Sequence, residues 1–227
     1  MRTRTVCLAL CAGLILSACS GGTETASSQS STLSEVVSVA SNQRKAKRNP
    51  PVLPTLTRPL LDGLTVASLE VVAAKREQTA YLIPEAYRDG NVTVWRTGGN
   101  SQLVLRDGVL IGTKGLGNDL ASADASPALA AVRSRGSSSG QRVMYIRNDV
   151  NGVDRMSLSC EVRNMGAETL EIVERSFPTV HLREDCSNET GQITNHYWVD
   201  RRDSTVWKSR QWGGPKVGYL DMRLLKK

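Results

Sequence analysis

Histidine and phenylalanine are nearly missing from this chain: His181 and His196 are the only imidazoles in 227 residues, and Phe177 is the single phenylalanine. With neither histidine near a Gly-x-Ser-x-Gly turn, a Ser/His/Asp triad has little to build on. Cysteines are scarce too. There are five, none is spaced as CxxC, and His181 is the only histidine between Cys160 and Cys186, so the donor set of a zinc site is lacking. The glycines from Gly112 to Gly117 follow neither the dinucleotide-binding spacing nor a P-loop, and no crossover helix with a second parallel strand follows them. We therefore expect no metal and no cofactor. Aromatic residues make up only 4% of the chain, which makes their local concentration near the C-terminus worth explaining.

Long hydrophobic runs are absent as well. The longest, Val6 to Leu16, is too short to span roughly 20 residues of bilayer core, and it follows Arg2 and Arg4. This is the order of a secretory signal peptide. Its end, Leu16-Ser17-Ala18-Cys19, matches a bacterial lipobox, in which cleavage before the cysteine leaves a thiol to carry diacylglycerol and an amine to be acylated. Residues 1–18 read as signal peptide and Cys19 as the lipidation site, its palmitate-type chains anchoring the protein, since each buried methylene contributes ~0.8 kcal/mol. Ser20 rather than Asp follows the cysteine, which points to the periplasmic face of the outer membrane. Cys7 and Cys11 leave with the signal peptide. The two remaining thiols, Cys160 and Cys186, then pair most simply as a disulfide in an oxidising periplasm, contributing about 3 kcal/mol in the chain-entropy model.

Losing Arg2 and Arg4 lowers the formal charge of +7 by two, and much of the remaining excess is local, in Gln43-Arg-Lys-Ala-Lys-Arg-Asn49. That stretch lies in residues 19–61, which begin as Ser/Thr/Gly low complexity and end in Pro50, Pro51, Pro54 and Pro59. Such a segment buries too little apolar surface to offset its ordering entropy and reads as a lipid-anchored, flexible linker. Within it Thr32-Leu-Ser-Glu35 has capping-box form, with Leu33, Val36, Val37 and Ala40 on one face of a short helix that would rest on anionic lipid. Without basic and aromatic interleaving, an exported chain of this kind is not expected to bind nucleic acid.

From residue 62 to 227 short runs rich in Val, Ile, Leu, Thr, Tyr and Trp recur about every ten residues, separated by Asp-Gly, Gly-Gly, Asn-Gly or Ser/Gly clusters. Arg106-Asp107-Gly108 and Asp149-Val-Asn-Gly152 are tight hairpin signals. Strands are predicted over twelve runs, including 154–163, 169–176, 194–200 and 205–211. One helix is predicted, from Ser126 to Val132, with Ser at the cap and Pro in the first turn. The domain is mainly β: an antiparallel barrel, half-barrel or sandwich with one or two short helices.

One combination of residues goes further. The lipobox, then Val109-Leu-Ile-Gly-Thr-Lys-Gly-Leu-Gly-Asn-Asp-Leu120, then Tyr197-Trp-Val-Asp200, Val206-Trp-Lys-Ser-Arg-Gln211 and Gly214-Pro215, resembles the YjbF/GfcB lipoproteins of capsule and exopolysaccharide loci. The likeness covers residues 60 to 227 and departs at the turn Arg201-Arg-Asp-Ser204 and in the long Ser/Pro linker. It implies a non-enzymatic outer-membrane lipoprotein that supports production or export of extracellular polysaccharide, with export proteins or the glycan itself as partners. The resemblance carries no catalytic residue.

Two other readings compete. A half-barrel carrier of lipid or lipoprotein acyl chains would require a continuous apolar cavity of several hundred cubic ångströms. A glycan-active hydrolase would draw on Glu161, Glu168, Glu171, Glu174, Glu184 or Asp185, and would need two carboxylates roughly 5 to 9.5 Å apart in a cleft. In the aromatic hairpin, alternation sends Tyr197 and Val199 to one face and Trp198 and Asp200 to the other. On the return strand Val206, Lys208 and Arg210 oppose Trp207, Ser209 and Gln211. Cross-strand aromatic packing in a closing hairpin is the first explanation of these tryptophans; the alternative is a glycan or partner surface joining Trp207, Arg210, Gln211 and Trp212 to the glycine loop at Thr113, Lys114, Gly115, Gly117 and Asp119.

Overall fold

The computed structural model describes residues 55–89 and 91–227, so the signal peptide, Cys19 and the helix expected near Leu33 lie outside the described residues. In chain order the elements are α1 (Arg58–Asp62), β1 (Ser68–Ala73), a 3-10 turn (Ala74–Arg76), β2 (Gln78–Arg88), β3 (Val92–Arg96), β4 (Gln102–Arg106), β5 (Val109–Lys114) and β6 (Leu120–Asp124). Then follow α2 (Ser126–Ser134), β7 (Ser138–Arg147), β8 (Val153–Ile172), β9 (Arg175–Asn188), β10 (Gly191–Asp200), β11 (Val206–Trp212) and β12 (Tyr219–Lys226). All twelve strands join one antiparallel sheet in the order β5-β4-β3-β2-β1-β12-β11-β10-β9-β8-β7-β6. Two meanders therefore run outward from the β1–β12 pair, and the sheet curls until its edges β5 and β6 approach in a nearly closed barrel.

Alternation decides what points inward. Leu69, Val71, Leu82, Trp95, Leu103, Leu105, Leu220 and Met222 form one interior cluster with Met144, Leu158 and the half-cystines Cys160 and Cys186. Cys160 and Cys186 sit directly opposite each other on β8 and β9 and are joined as the expected disulfide. Across the interior, α2 lies against β7, β8 and β9, with Ala128, Ala131 and Val132 wholly buried against Val162, Leu182, Tyr197 and Val109. Its N-terminus is held by Asp124, which accepts bonds from the Ser126 N–H at 3.0 Å and its hydroxyl at 2.5 Å, so the expected cap at Ser126 is a helical residue.

A second, outer core lies on the opposite face. There α1 and the tip of the β8–β9 hairpin pack Leu61, Leu170, Ile172 and Phe177 against Tyr81 and Leu225. Arg58 ties them together: its guanidinium donates to the carbonyls of Ile172 (2.6 Å), Val173 (3.0 Å) and Leu225 (3.4 Å), and its amide donates to Glu174 (3.2 Å). α1 thus belongs to the folded unit, four residues ahead of the boundary read from composition.

Two strand expectations are corrected. The runs 154–163 and 169–176 are not separate strands; β8 passes through Gly166 (φ 107°) on a bulge between Asn164 and Gly166. Its hairpin turns at Val173 (φ 45°) and Glu174 (φ 60°), a conformation costly for non-glycine residues, and Arg58 clamps both. β6, with the sequence LASAD, carries no strand signal and forms because β7 offers it a partner.

Candidate functional site

The glycine loop is self-contained. Asp119 accepts bonds from the Thr113 hydroxyl (3.1 Å) and from the amides of Gly115 and Leu116 (both 2.8 Å), while the Leu120 amide donates back to Thr113 Oγ1 at 2.9 Å. Gly115 and Gly117 take φ of 80° and 79°, the left-handed turn that glycine permits without strain. Thr113 is buried, so it is a brace of this loop and does not belong to a surface, whereas Lys114, Gly115 and Gly117 are exposed. Arg76 donates to the Leu116 carbonyl, and Lys216 packs beside Gly117.

The tryptophans of the aromatic hairpin pack on core side chains, and the alternative of a single exposed platform is not formed. Trp207 is the extra residue of a bulge, because Trp198 pairs with Lys208 and Val199 with Val206. The bulge turns Val206 toward the interior, against the strict alternation, and lets Trp207 pack on Phe177 at 4.0 Å while its indole donates to Asp200 at 2.8 Å. Trp212, five residues on and about 17 Å along the strand, packs on the interior cluster. Arg210 pairs with Asp221 at 2.7 Å and lies over Tyr219. Gln211 is fully buried and is withdrawn from the surface altogether.

Gln211 instead belongs to a buried polar network that sequence reasoning missed. Its side chain accepts from the Leu110 amide and donates to the Gly108 carbonyl, both at 2.8 Å. Arg142 donates to the Leu110 carbonyl at 3.0 Å and to both Glu184 oxygens at 3.2 Å. Asn195 (2.7 Å) and the Tyr197 hydroxyl (2.8 Å) complete the Glu184 cage. Burial lowers the Arg142 pKa, but the adjacent Glu184 charge, with Tyr197 and the hydrogen bonds to both, more than offsets this and leaves it above the ordinary value. Burial, then the Glu184 charge, holds the Tyr197 phenol well above its ordinary range, so it remains a donor. The network ties edge strand β5 to β7, β9, β10 and β11, and it shields Glu184 from any substrate. Glu184 also lies near the two cysteine sulfurs, but these are bonded to each other and offer no thiolate to a metal.

On the outer face, His181 Nε2 and His196 Nδ1 share a hydrogen bond at 2.9 Å. His181 stacks on Trp198 at 4.5 Å, and Lys208 covers the Trp198 ring at 4.4 Å. Both histidines have lowered pKa values, chiefly through burial, with Lys208 and Arg183 adding to the effect at His181 and with His181 and Arg183 adding to it at His196.

The barrel interior encloses two cavities. One, of about 500 Å³, opens at the end carrying Asn91, Asp107, Asp203 and Lys227, over a floor that includes Leu69, Trp95, Leu105 and Met222. The other, of about 240 Å³, opens at the opposite end beside Gly115, Leu116 and Arg76, over Val71, Leu82, Leu103 and Leu220. The exposed part of the glycine loop is therefore the rim of the smaller cavity. At the larger mouth Asp107 is bound by Arg133 (2.8 Å), and Asp203 by Lys227 (2.8 Å) and by Thr205, which hold the Asp203 pKa down to about 2. Asp203 therefore does not provide the protonated carboxyl a glycosidase uses as its acid.

The geometry can be set beside known proteins. The family described as group 4 capsule polysaccharide lipoprotein gfcB, YjbF, matches residues 32–225. The chain belongs to the YjbF family. Among solved structures, the hypothetical lipoprotein YmcC from Escherichia coli K12 shares its fold at a TM-score of 0.67 and 21% identity, over 90% of this chain and 98% of that one. A putative exported protein with a YmcC-like fold from Bacteroides fragilis aligns at a TM-score of 0.34 and 12% identity, over 70% of this chain and 93% of that one. No curated protein matches. This YjbF-family member is thus a capsule-related lipoprotein by family, built on a barrel.

Proposed function

We propose that this YjbF-family protein is a non-enzymatic accessory of capsule or exopolysaccharide export, anchored through Cys19 to the periplasmic face of the outer membrane. The observation that carries the reading is the family match across residues 32–225, which takes in nearly the whole folded unit and part of the linker. The geometry is consistent with it. Glu184 is caged by Arg142, and Asp107 and Asp203 at the larger mouth are paired with Arg133 and Lys227. The contact surface for an export protein or glycan is the outer face around exposed Arg183 and half-buried His196 and Lys208, together with the exposed Lys114 loop.

Deletion of the gene should abolish or sharply reduce surface polysaccharide, and the wild-type chain should restore it. A Cys19→Ala chain should incorporate no radioactive palmitate and should fail to restore the polysaccharide. Unchanged surface polysaccharide in the deletion strain would reject the proposal.

A further inference from the structure

The two cavities are consecutive lengths of one interior. Leu69 and Val71 on β1, Leu103 and Leu105 on β4, and Leu220 and Met222 on β12 are each two residues apart on the same strand, one of each pair lining one cavity and its neighbour the other. Two residues advance about 7 Å along a strand and return to the same face, so the two hollows stand end to end along the barrel, with those packed side chains between them. Both hollows are lined mainly by apolar side chains, with Thr93 and Ser209 among the polar groups inside the larger one and charged groups at the mouths. A sugar chain would lose the hydration of its hydroxyls against such walls without replacement. A protein segment would bring backbone amides that the interior cannot pair.

We propose that this half of the barrel binds the unbranched aliphatic chain of a lipid, its polar head left at the mouth between Asn91, Asp107 and Lys227. The mainly apolar lining suits a methylene chain, the larger cavity of about 500 Å³ is within the size of small-molecule sites, and every buried methylene is favourable. Position supports the same occupant. Ala67, just after α1, lines the larger mouth, and Lys226 next to Lys227 bonds the Asp62 and Leu64 carbonyls. The linker leading back to Cys19 therefore joins the domain at the end where the chain would enter. The site is what an acyl carrier would need, and it stands independently of the polysaccharide reading.

The test uses the mature chain exported behind a signal peptide lacking the lipobox cysteine, titrated with the fluorescent fatty acid cis-parinaric acid. Saturable uptake of one molecule per chain, displaced by palmitate, is expected. Ala67→Trp and Thr93→Trp, both at the larger cavity, should each weaken uptake at least tenfold with an unchanged thermal midpoint, whereas the exposed Val150→Ser should leave it unaltered. Lipidated protein extracted from membranes separates the sources. Reduced uptake there identifies the protein's own acyl chain as the occupant, and undiminished uptake identifies a membrane lipid. Absence of saturable uptake by the unlipidated chain, or uptake unaffected in both folded Trp variants, would overturn the proposal.

Discussion

The two halves of the barrel are built from the same kind of strand and end up opposite in character. Inside β6 to β10, α2 fills the space with Ala128, Ala131 and Val132, the disulfide joins neighbouring strands, and Arg142 meets Glu184 with both side chains essentially without solvent contact. Inside β1 to β5, β11 and β12 no helix of the described residues enters, both cavities lie there, and several inward positions carry small side chains: Ala67, Ala73, Ala80 and Thr93. The interior of a closed sheet is filled by side chains, an inserted element, water or a ligand. Among the described residues a helix fills one half only. The difference separates residues that hold the fold from those free to serve binding.

The comparison can be broken first at Glu184. Glu184→Ala leaves Arg142 as an uncompensated buried charge and should cost about 3–5 kcal/mol, read as a fall in the denaturant midpoint; a loss below 1 kcal/mol would mean that water reaches the network. Removing the disulfide with Cys160→Ala and Cys186→Ala should cost about 3 kcal/mol, given a separation of 26 residues. Next comes one substitution made in both halves. Ala128→Leu and Ala131→Leu overpack the filled side and should cost about 1–3 kcal/mol, while Ala67→Leu and Ala80→Leu add methyl groups to empty space and should be neutral or stabilising. Equal costs would erase the distinction.

The smallest expected effect is a pH slope from the outer face. His181 and His196 have folded pKa values below their ordinary 6.5, so over that interval the unfolded chain binds more protons. Their contribution is complete above about pH 6.5 and is lost as pH falls through the lowered values. His181→Phe should flatten the stability profile below pH 6.5 by removing one of the two groups and the charge repulsion on the other. A profile unchanged from the parent would show that the pair titrates as it does in the unfolded chain.

Much of the fold was legible before any coordinates. Asp107-Gly108 forms the hairpin its sequence announces, with φ of 46° and 79°, and Cys160 meets Cys186. What escaped notice did so for definable reasons. Val173 and Glu174 are poor residues for their turn, and the Arg58 that holds them is more than a hundred positions away. β6 owes its pairing to β7 rather than to its own propensity. Glu184 and Gln211 look like solvated strand residues because alternation shows only which face each takes, not that the inner face holds their partners. The glycine loop was recognised as structured, but its role as a cavity rim depends on Val71, Leu82 and Leu220, brought beside it only by the closed sheet. The cavities left only a weak trace, the small residues at inward positions.

Crystals of the mature, unlipidated chain grown with palmitate test the central claim most directly. The account predicts continuous ligand density running from the Asn91–Lys227 mouth past Trp95, Leu105 and Met222, with α2 and the Arg142–Glu184 network unmoved. Density for palmitate beneath α2, or an interior of β1 to β5 closed by its own side chains with no ligand, would contradict it.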